Sequence, residues 1–86
     1  MYIIYFKPSF KEEINKVRDK KSRQNIKNKI NEIANTLELS HNHYKNLHKP
    51  FEKYKRVHVN KSFVMIFSVD NKNKTVTFYH YMHKDL

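Results

Sequence analysis

The sequence predicts an α+β domain: an N-terminal strand, a helical hairpin, and a three-strand antiparallel meander forming one sheet packed on the helices. Three observations carry that expectation. Apolar residues recur at three- and four-residue steps between Phe10 and Leu37, the period of one face of a helix. From Tyr54 onward the period shortens to two, in runs separated by polar turns, as half-buried strands require. Finally, 86 residues with six Phe and six Tyr suit one small, ring-rich core, because a chain of this size buries only about two-thirds of its unfolded surface. Residues 1–86 are therefore taken as a single domain.

Residues 2–7 are β-branched and aromatic, and Pro8 stops them, so they make the first strand. Ser9-Phe10-Lys11-Glu12 has the spacing of a capping box, which predicts a first helix over 10–20 with Phe10, Ile14 and Val17 turned inward. Lys20-Lys21-Ser22 interrupts that pattern, and Ser22 is read as the cap of a second helix. Its buried stripe is Ile26, Ile30, Ile33, Ala34 and Leu37, with Lys27, Lys29, Asn31 and Glu32 outside. Two helices with one apolar side need a sheet to cover them.

Residues 38–53 form a long connection, turn-prone at Ser40-His41-Asn42-His43 and kept extended or looped by Lys49-Pro50. Connections of that length inside compact domains are often functional. The run 54–59 then alternates, with Arg56 and His58 on one face and Val57 and Val59 on the other. In 62–69 the larger set Phe63, Met65, Phe67 and Val69 is expected toward the helices, leaving Ser62, Val64, Ile66 and Ser68 on the opposite side. Asp70-Asn71-Lys72-Asn73 is a turn in which Asn or Asp takes any positive φ, since these tolerate it best after Gly. The last strand, 74–82, puts Val76 and Phe78 inward, and strict alternation sends Thr77, Tyr79, Tyr81 and His83 outward with His80 toward the helices. The uncovered face is thus expected to carry Arg56, His58, Tyr79, Tyr81 and His83.

A formal charge of +10 and a pI near 9.9 make polyanions the natural partners, nucleic acid first and an acidic protein second. Rings interleaved with cations on a sheet face suit RNA, because bases stack on rings and phosphates pair with Lys and Arg. The basic residues are spread along the chain instead of forming one amphipathic helix, and there is no run of about 18 apolar residues, which argues against a membrane role. The apolar residues 2–6 are too short, and lack the basic lead-in, for a secretory signal. With no Cys there is no disulfide framework or thiolate metal site, and a reducing, cytoplasmic setting is favoured. His41 and His43 lack a third ligand, so no metal or other cofactor is implied.

In order and spacing, the first strand ending in Lys-Pro-Ser-Phe, the helical hairpin, Tyr-Lys-Asn-Leu, Tyr-Lys-Arg-Val-His-Val, Phe-Val-Met-Ile-Phe and the closing His-Lys-Asp-Leu resemble the RelE/ParE superfamily of toxins from toxin–antitoxin modules. The resemblance covers essentially the whole chain and implies a RelE-like fold. Val64 stands where RelE-type members carry an Arg, and the chain is more similar to the YafQ-like branch, in which histidines perform acid–base work. His58 then matches the histidine of the central strand and His83 the one near the C-terminus, while Ser62 and Lys45 stand where YafQ has an Asp and another His. The chain stops at Leu86, one residue before the aromatic of the family pattern, which is expected to weaken stacking on the target base.

The resemblance implies a ribosome-dependent endoribonuclease cutting translated mRNA, held inactive by an antitoxin that is acidic at least where it wraps the toxin, in a toxin–antitoxin hetero-oligomer. Cleavage by the RNA's own 2′-OH needs a base, an acid and positive charge for the phosphorane, and imidazole suits the proton transfers. His58 and His83 are the expected acid–base pair, with Arg56 stabilising the phosphate. Lys45, His48, Lys49, Lys53, Lys55, Lys61, Tyr81 and Lys84 are the expected RNA contacts, although Lys55 lies on the strand face opposite Arg56. The alternatives are a ParE-like DNA gyrase inhibitor, which has no need of two histidines on one face, and a catalytically degenerate RNA-binding member.

Overall fold

In the computed structural model, which describes residues 1–85, the β-branched start of the chain forms β1 (Ile3–Phe6), followed by α1 (Pro8–Asn15) and α2 (Lys20–Leu39). The period-two runs form β2 (Lys55–His58), β3 (Phe63–Asp70) and β4 (Thr75–His83). The meander is joined by β1 into one four-stranded sheet of order β1-β4-β3-β2, in which β1 runs parallel to β4 and the other pairs are antiparallel. Leu86, on which the reading of the chain end rests, lies outside the described residues.

The core lies where the apolar stripe of the helices meets one face of the sheet. Phe10, Ile26, Ile33 and Leu37 from the helices pack with Met65, Phe67, Val76 and Phe78 from the sheet, closed off by Tyr2 and Tyr81. Ile14, Val17 and Ile30 pack partly buried against it, as do Val57, Val59, Phe63 and Val69. Each large apolar side chain fully withdrawn from water contributes about 1.5–3 kcal/mol, and the described residues have no disulfide to add to it.

Both helix starts differ from the sequence expectation. α1 opens at Pro8, with Lys7 as a cap that makes no side-chain bond; proline suits the first helical position because its missing N–H would be unpaired there anyway. Ser9 is instead used across the fold: its Oγ donates to the Tyr79 carbonyl at 2.7 Å. α1 ends at Asn15, short of residue 20. For α2 the cap is Asp19, not Ser22; its carboxylate accepts the Ser22 amide and hydroxyl, each at 2.8 Å.

The hydroxyl and amide of Ser22 hold the Asp19 carboxyl below its ordinary value of 3.8. A carboxylate with a depressed folded pKa contributes stability above the unfolded value and loses it as pH falls through the folded one. Acid titration of unfolding is therefore expected to show Asp19→Asn less stable than wild type near neutrality, with the difference closing below about pH 4. A constant difference down to pH 2 contradicts the assignment.

The β3–β4 turn is held by Asp70, whose carboxylate accepts the amides of Lys72 and Asn73 at 3.0 and 3.1 Å and the Asn73 side chain at 2.9 Å. With Asp70 and Asn73 held in those bonds, the positive φ falls on Lys74, at 54°, and not on Asn or Asp. The Lys74 ammonium pairs with Glu38 at 3.3 Å.

The largest departure is in β4. The register runs Met65↔Tyr81, Ile66↔His80 and Phe67↔Phe78, so that β4 carries an extra residue, Tyr79, at this point. Such a bulge breaks strict alternation. Before it, Val76 and Phe78 face the core as expected; after it, Tyr81 faces the core and is only 6% exposed. His83, paired with Phe63, shares the side of Phe63 and Tyr81, while His80, paired with Ile66, is on the uncovered face. The expected placement of Tyr81 and His83 outward and His80 inward is reversed.

α1 makes this irregular edge possible. β1 pairs with β4 only as far as Phe6↔Phe78, which leaves the rest of β4 without a strand neighbour on that side. The Lys7 amide donates to the Phe78 carbonyl at 2.9 Å, Ser9 takes the Tyr79 carbonyl, and the Tyr81 amide donates to Glu13 Oε1 at 2.9 Å. Side chains of the helix thus continue the ladder that the strand abandons, as an edge needs. Among the described residues no helix is long and apolar enough to cross a membrane.

Candidate functional site

Cross-strand register determines which side chains meet on the uncovered face. Arg56 pairs with Ile66, and Ile66 with His80, so Arg56 and His80 stand in one row across three strands, roughly 10 Å apart at the backbone. The row beside it is His58, Val64 and Met82. Over this face lies a pocket of about 580 Å³, with Val64, Ile66 and Met82 as its apolar floor. One wall is Leu47, Phe51 and Tyr54; the other holds Arg56, Tyr79, His80, His83 and Lys84.

The first wall is a loop folded back on itself. Leu47 N–H donates to the Tyr54 carbonyl at 2.9 Å, Phe51 N–H to His48 at 2.9 Å and Tyr54 N–H to Phe51 at 3.0 Å. An isolated bridge joins Asn46 to Lys55. The Lys55 ammonium crosses the base of the loop, donating to the Tyr44 carbonyl at 2.8 Å and to Asn46 Oδ1 at 2.6 Å. Burial pushes its pKa below the usual lysine value. The structure commits Lys55 to holding the loop, not to the open surface on which an RNA contact was expected.

On the second wall, Arg56 is exposed and its Nη2 donates to the Lys84 carbonyl at 3.3 Å, which ties the guanidinium to the segment after β4. His80 Nδ1 lies 3.2 Å from Glu13 Oε2. An ionised carboxylate only accepts, so Nδ1 carries the proton and Nε2 is bare in the neutral ring. His83 shows the opposite polarity: its Nδ1 accepts the Asp85 amide at 3.2 Å, which leaves the proton on Nε2. These tautomers follow from the partners.

The expected residues are only partly brought together. Arg56 and His83 both border the pocket, and Lys84 does so with them. His58 is on the face of Arg56 but is not among the pocket-lining residues, and its register parity is opposite to that of His83. The two imidazoles expected to converge are therefore at opposite register parity, because the bulge at Tyr79 inverts the residues after it; His83, the last residue of β4, reaches the pocket only at its rim. Tyr81 is stacked on Phe63 in the core, ring centroids 4.9 Å apart, where burial pushes its phenol above its usual pKa; it offers no free ring to a base. Lys45, His48, Lys49, Lys53, Lys61 and Lys84 are exposed. Among the described residues no three His, Cys, Asp or Glu side chains group as a metal site.

Sequence reasoning missed His80 and Glu13. Strict alternation placed His80 inward, and nothing in the local pattern announces a bulge without glycine. Glu13 lies in a helix whose pattern gives its carboxylate no distant partner, yet it takes both the Tyr81 amide and the His80 ring.

No family model matches the chain. Over 87 aligned residues it is 44% identical to a candidate toxin named RelE4 from Methanocaldococcus jannaschii, covering 99% of the chain and 88% of that protein. Its fold matches the isolated E. coli RelE toxin with a TM-score of 0.73 at 14% identity, over 96% of the chain and 84% of the other. It also matches a RelB–RelE antitoxin–toxin complex from Methanococcus jannaschii with a TM-score of 0.68 at 22% identity, over 94% and 91% of the two chains.

Proposed function

The chain belongs to the RelE toxin family, and from that premise we propose that it is a ribosome-dependent endoribonuclease of a toxin–antitoxin module, cutting translated mRNA by 2′-OH attack. The single observation carrying this reading is the row Arg56–Ile66–His80 beside the pocket floor: a guanidinium and a carboxylate-oriented imidazole stand at the two ends of one cross-strand row, with the apolar Ile66 between them. That spacing admits one phosphodiester. Arg56 is the group to stabilise charge on the phosphorane, since a planar guanidinium meets two phosphate oxygens at once.

His80, with Nε2 bare, takes the 2′-hydroxyl proton as the O2′–P bond forms. The P–O5′ bond breaks, and the leaving 5′ oxygen takes a proton from water at the open rim of the pocket, the hydroxide so formed being neutralised by the His80 imidazolium. The products are a 2′,3′-cyclic phosphate and a 5′-hydroxyl end. Exposed Lys45, Lys49, Lys53 and Lys61, within a net charge of +10, supply the field that draws the protein to rRNA and mRNA. The same charge supports an antitoxin with an acidic wrapping segment, and the related RelB–RelE complex supports an antitoxin partner of this kind.

The test is primer extension on a message translated in a purified system with the protein added. New 5′ ends that require ribosomes are the expected result. No cleavage, together with inhibition of DNA gyrase supercoiling, replaces this reading with the ParE-like one.

Glu13→Gln separates the two duties of Glu13. Its amide oxygen still accepts the Tyr81 amide, so the thermal midpoint should stay within about 3 °C, a change below roughly 0.5 kcal/mol. The carboxylate that orients and supports the His80 ring is lost, and the cleavage rate should fall roughly tenfold or more. Equal losses of rate and folding stability count against a positioning role.

A further inference from the structure

The mechanism uses one wall of the pocket and leaves the loop wall without a task. That wall carries Phe51, 58% exposed. Other large apolar side chains are also exposed, among them Ile3, Tyr5, Phe6 and Leu39, but Phe51 alone of these borders the pocket with Arg56.

The neighbouring rings are already engaged. Tyr54 and Tyr79 meet edge to face at 5.1 Å. The Lys53 ammonium lies 5.6 Å from the Tyr54 ring centre and the Lys7 ammonium 5.8 Å from that of Tyr79. Among the described residues Phe51 has no aromatic or cationic partner, so its ring is open toward the pocket it borders. Nor is it on a loose tip: its amide is bonded to His48, its carbonyl to Tyr54, and Lys55 ties the base of the loop. A rigid ring with an open face binds a partner at little ordering cost.

We propose that the loop wall is a nucleobase subsite, in which Phe51 stacks on a base of the mRNA beside the phosphate held by Arg56. The occupant is a single-stranded RNA nucleotide, because cations and an apolar floor sit within one pocket of about 580 Å³, the pairing of charge and flat apolar contact that a nucleotide presents. Stacking reads every base by its π-face, so this subsite supplies affinity with little sequence preference. The inference rests on the nuclease reading and names where its substrate's base lies.

The experiment measures binding of the full chain to ribosomes programmed with a message carrying 2′-deoxy nucleotides at the cleavage site, which cannot be cut, and to ribosomes without message. Phe51→Ala is expected to weaken binding to programmed ribosomes roughly 5- to 150-fold and to leave binding to empty ribosomes unchanged. Phe51→Leu, apolar but without a ring, should behave like Phe51→Ala, and Phe51→Trp should restore wild-type affinity. Phe51→Ala binding as wild type, or Phe51→Leu matching wild type, overturns the subsite; the first result gives the ring to a protein partner. Cleavage of unmodified message by the wild-type protein is read separately. If it occurs while Phe51→Ala binds normally, the subsite alone is lost; if it does not occur and message adds no affinity, the nuclease reading falls as well.

Discussion

Replacing His80 by Ala is expected to slow mRNA cleavage roughly 10²- to 10⁴-fold, the range for removing a positioned general base, whereas His58→Ala should stay within about tenfold of wild type. The two residues look equivalent in composition terms, and alternation along the strands favours His58. Register decides otherwise. His80 shares a row with Arg56 through Ile66 and is held by Glu13, while His58 belongs to the next row and does not line the pocket. His80 is exposed, so its loss should leave thermal unfolding nearly unchanged. Single-turnover cleavage on programmed ribosomes makes the comparison, and the pH–rate profile of His80→Ala should lack the limb contributed by the base. A larger loss for His58→Ala than for His80→Ala contradicts the site as described.

Phe78→Ala is expected to cost about 3–5 kcal/mol of folding stability. Phe78 is fully buried, and its ring centre lies 5.9 Å from Phe6, 5.5 Å from Phe10 and 5.5 Å from Phe67. It is where β1, α1 and β3 meet β4, so little around it can collapse into the space left behind. A domain of 86 residues holds roughly 4–13 kcal/mol in total, which makes this loss a large share of the whole. Urea unfolding should show a much lower midpoint, and Phe78→Leu should retain more than half of the lost stability. A change under about 1 kcal/mol in Phe78→Ala would mean that the ring cluster is not the centre of the core.

Much of this architecture was legible because burial imposes a period on the chain. Ile26, Ile33 and Leu37 had to share a face if the helix packed at all, and Met65 and Phe67 had to oppose them. The caps were less legible: Ser9 and Ser22 have the right spacing, but Ser9 is drawn to the bare edge of β4 and Asp19 provides the stronger acceptor at α2. Lys55 illustrates the same limit, since its sequence context says cation and only the folded loop supplies the carbonyls that occupy it.

By itself the sequence determined the class of fold, the core members other than Tyr2 and Tyr81, the cationic character and the place of Arg56 on the uncovered face. Those follow from local periodicity and composition, which need no knowledge of distant segments. The tertiary structure alone decided that β1 lies parallel beside β4, that α1 completes the remaining edge, and that Tyr79 bulges. One extra residue in a ladder exchanges the faces of all that follow it, and whether it is accommodated depends on partners nearly seventy positions away, Ser9 and Glu13, that pair with the irregular backbone.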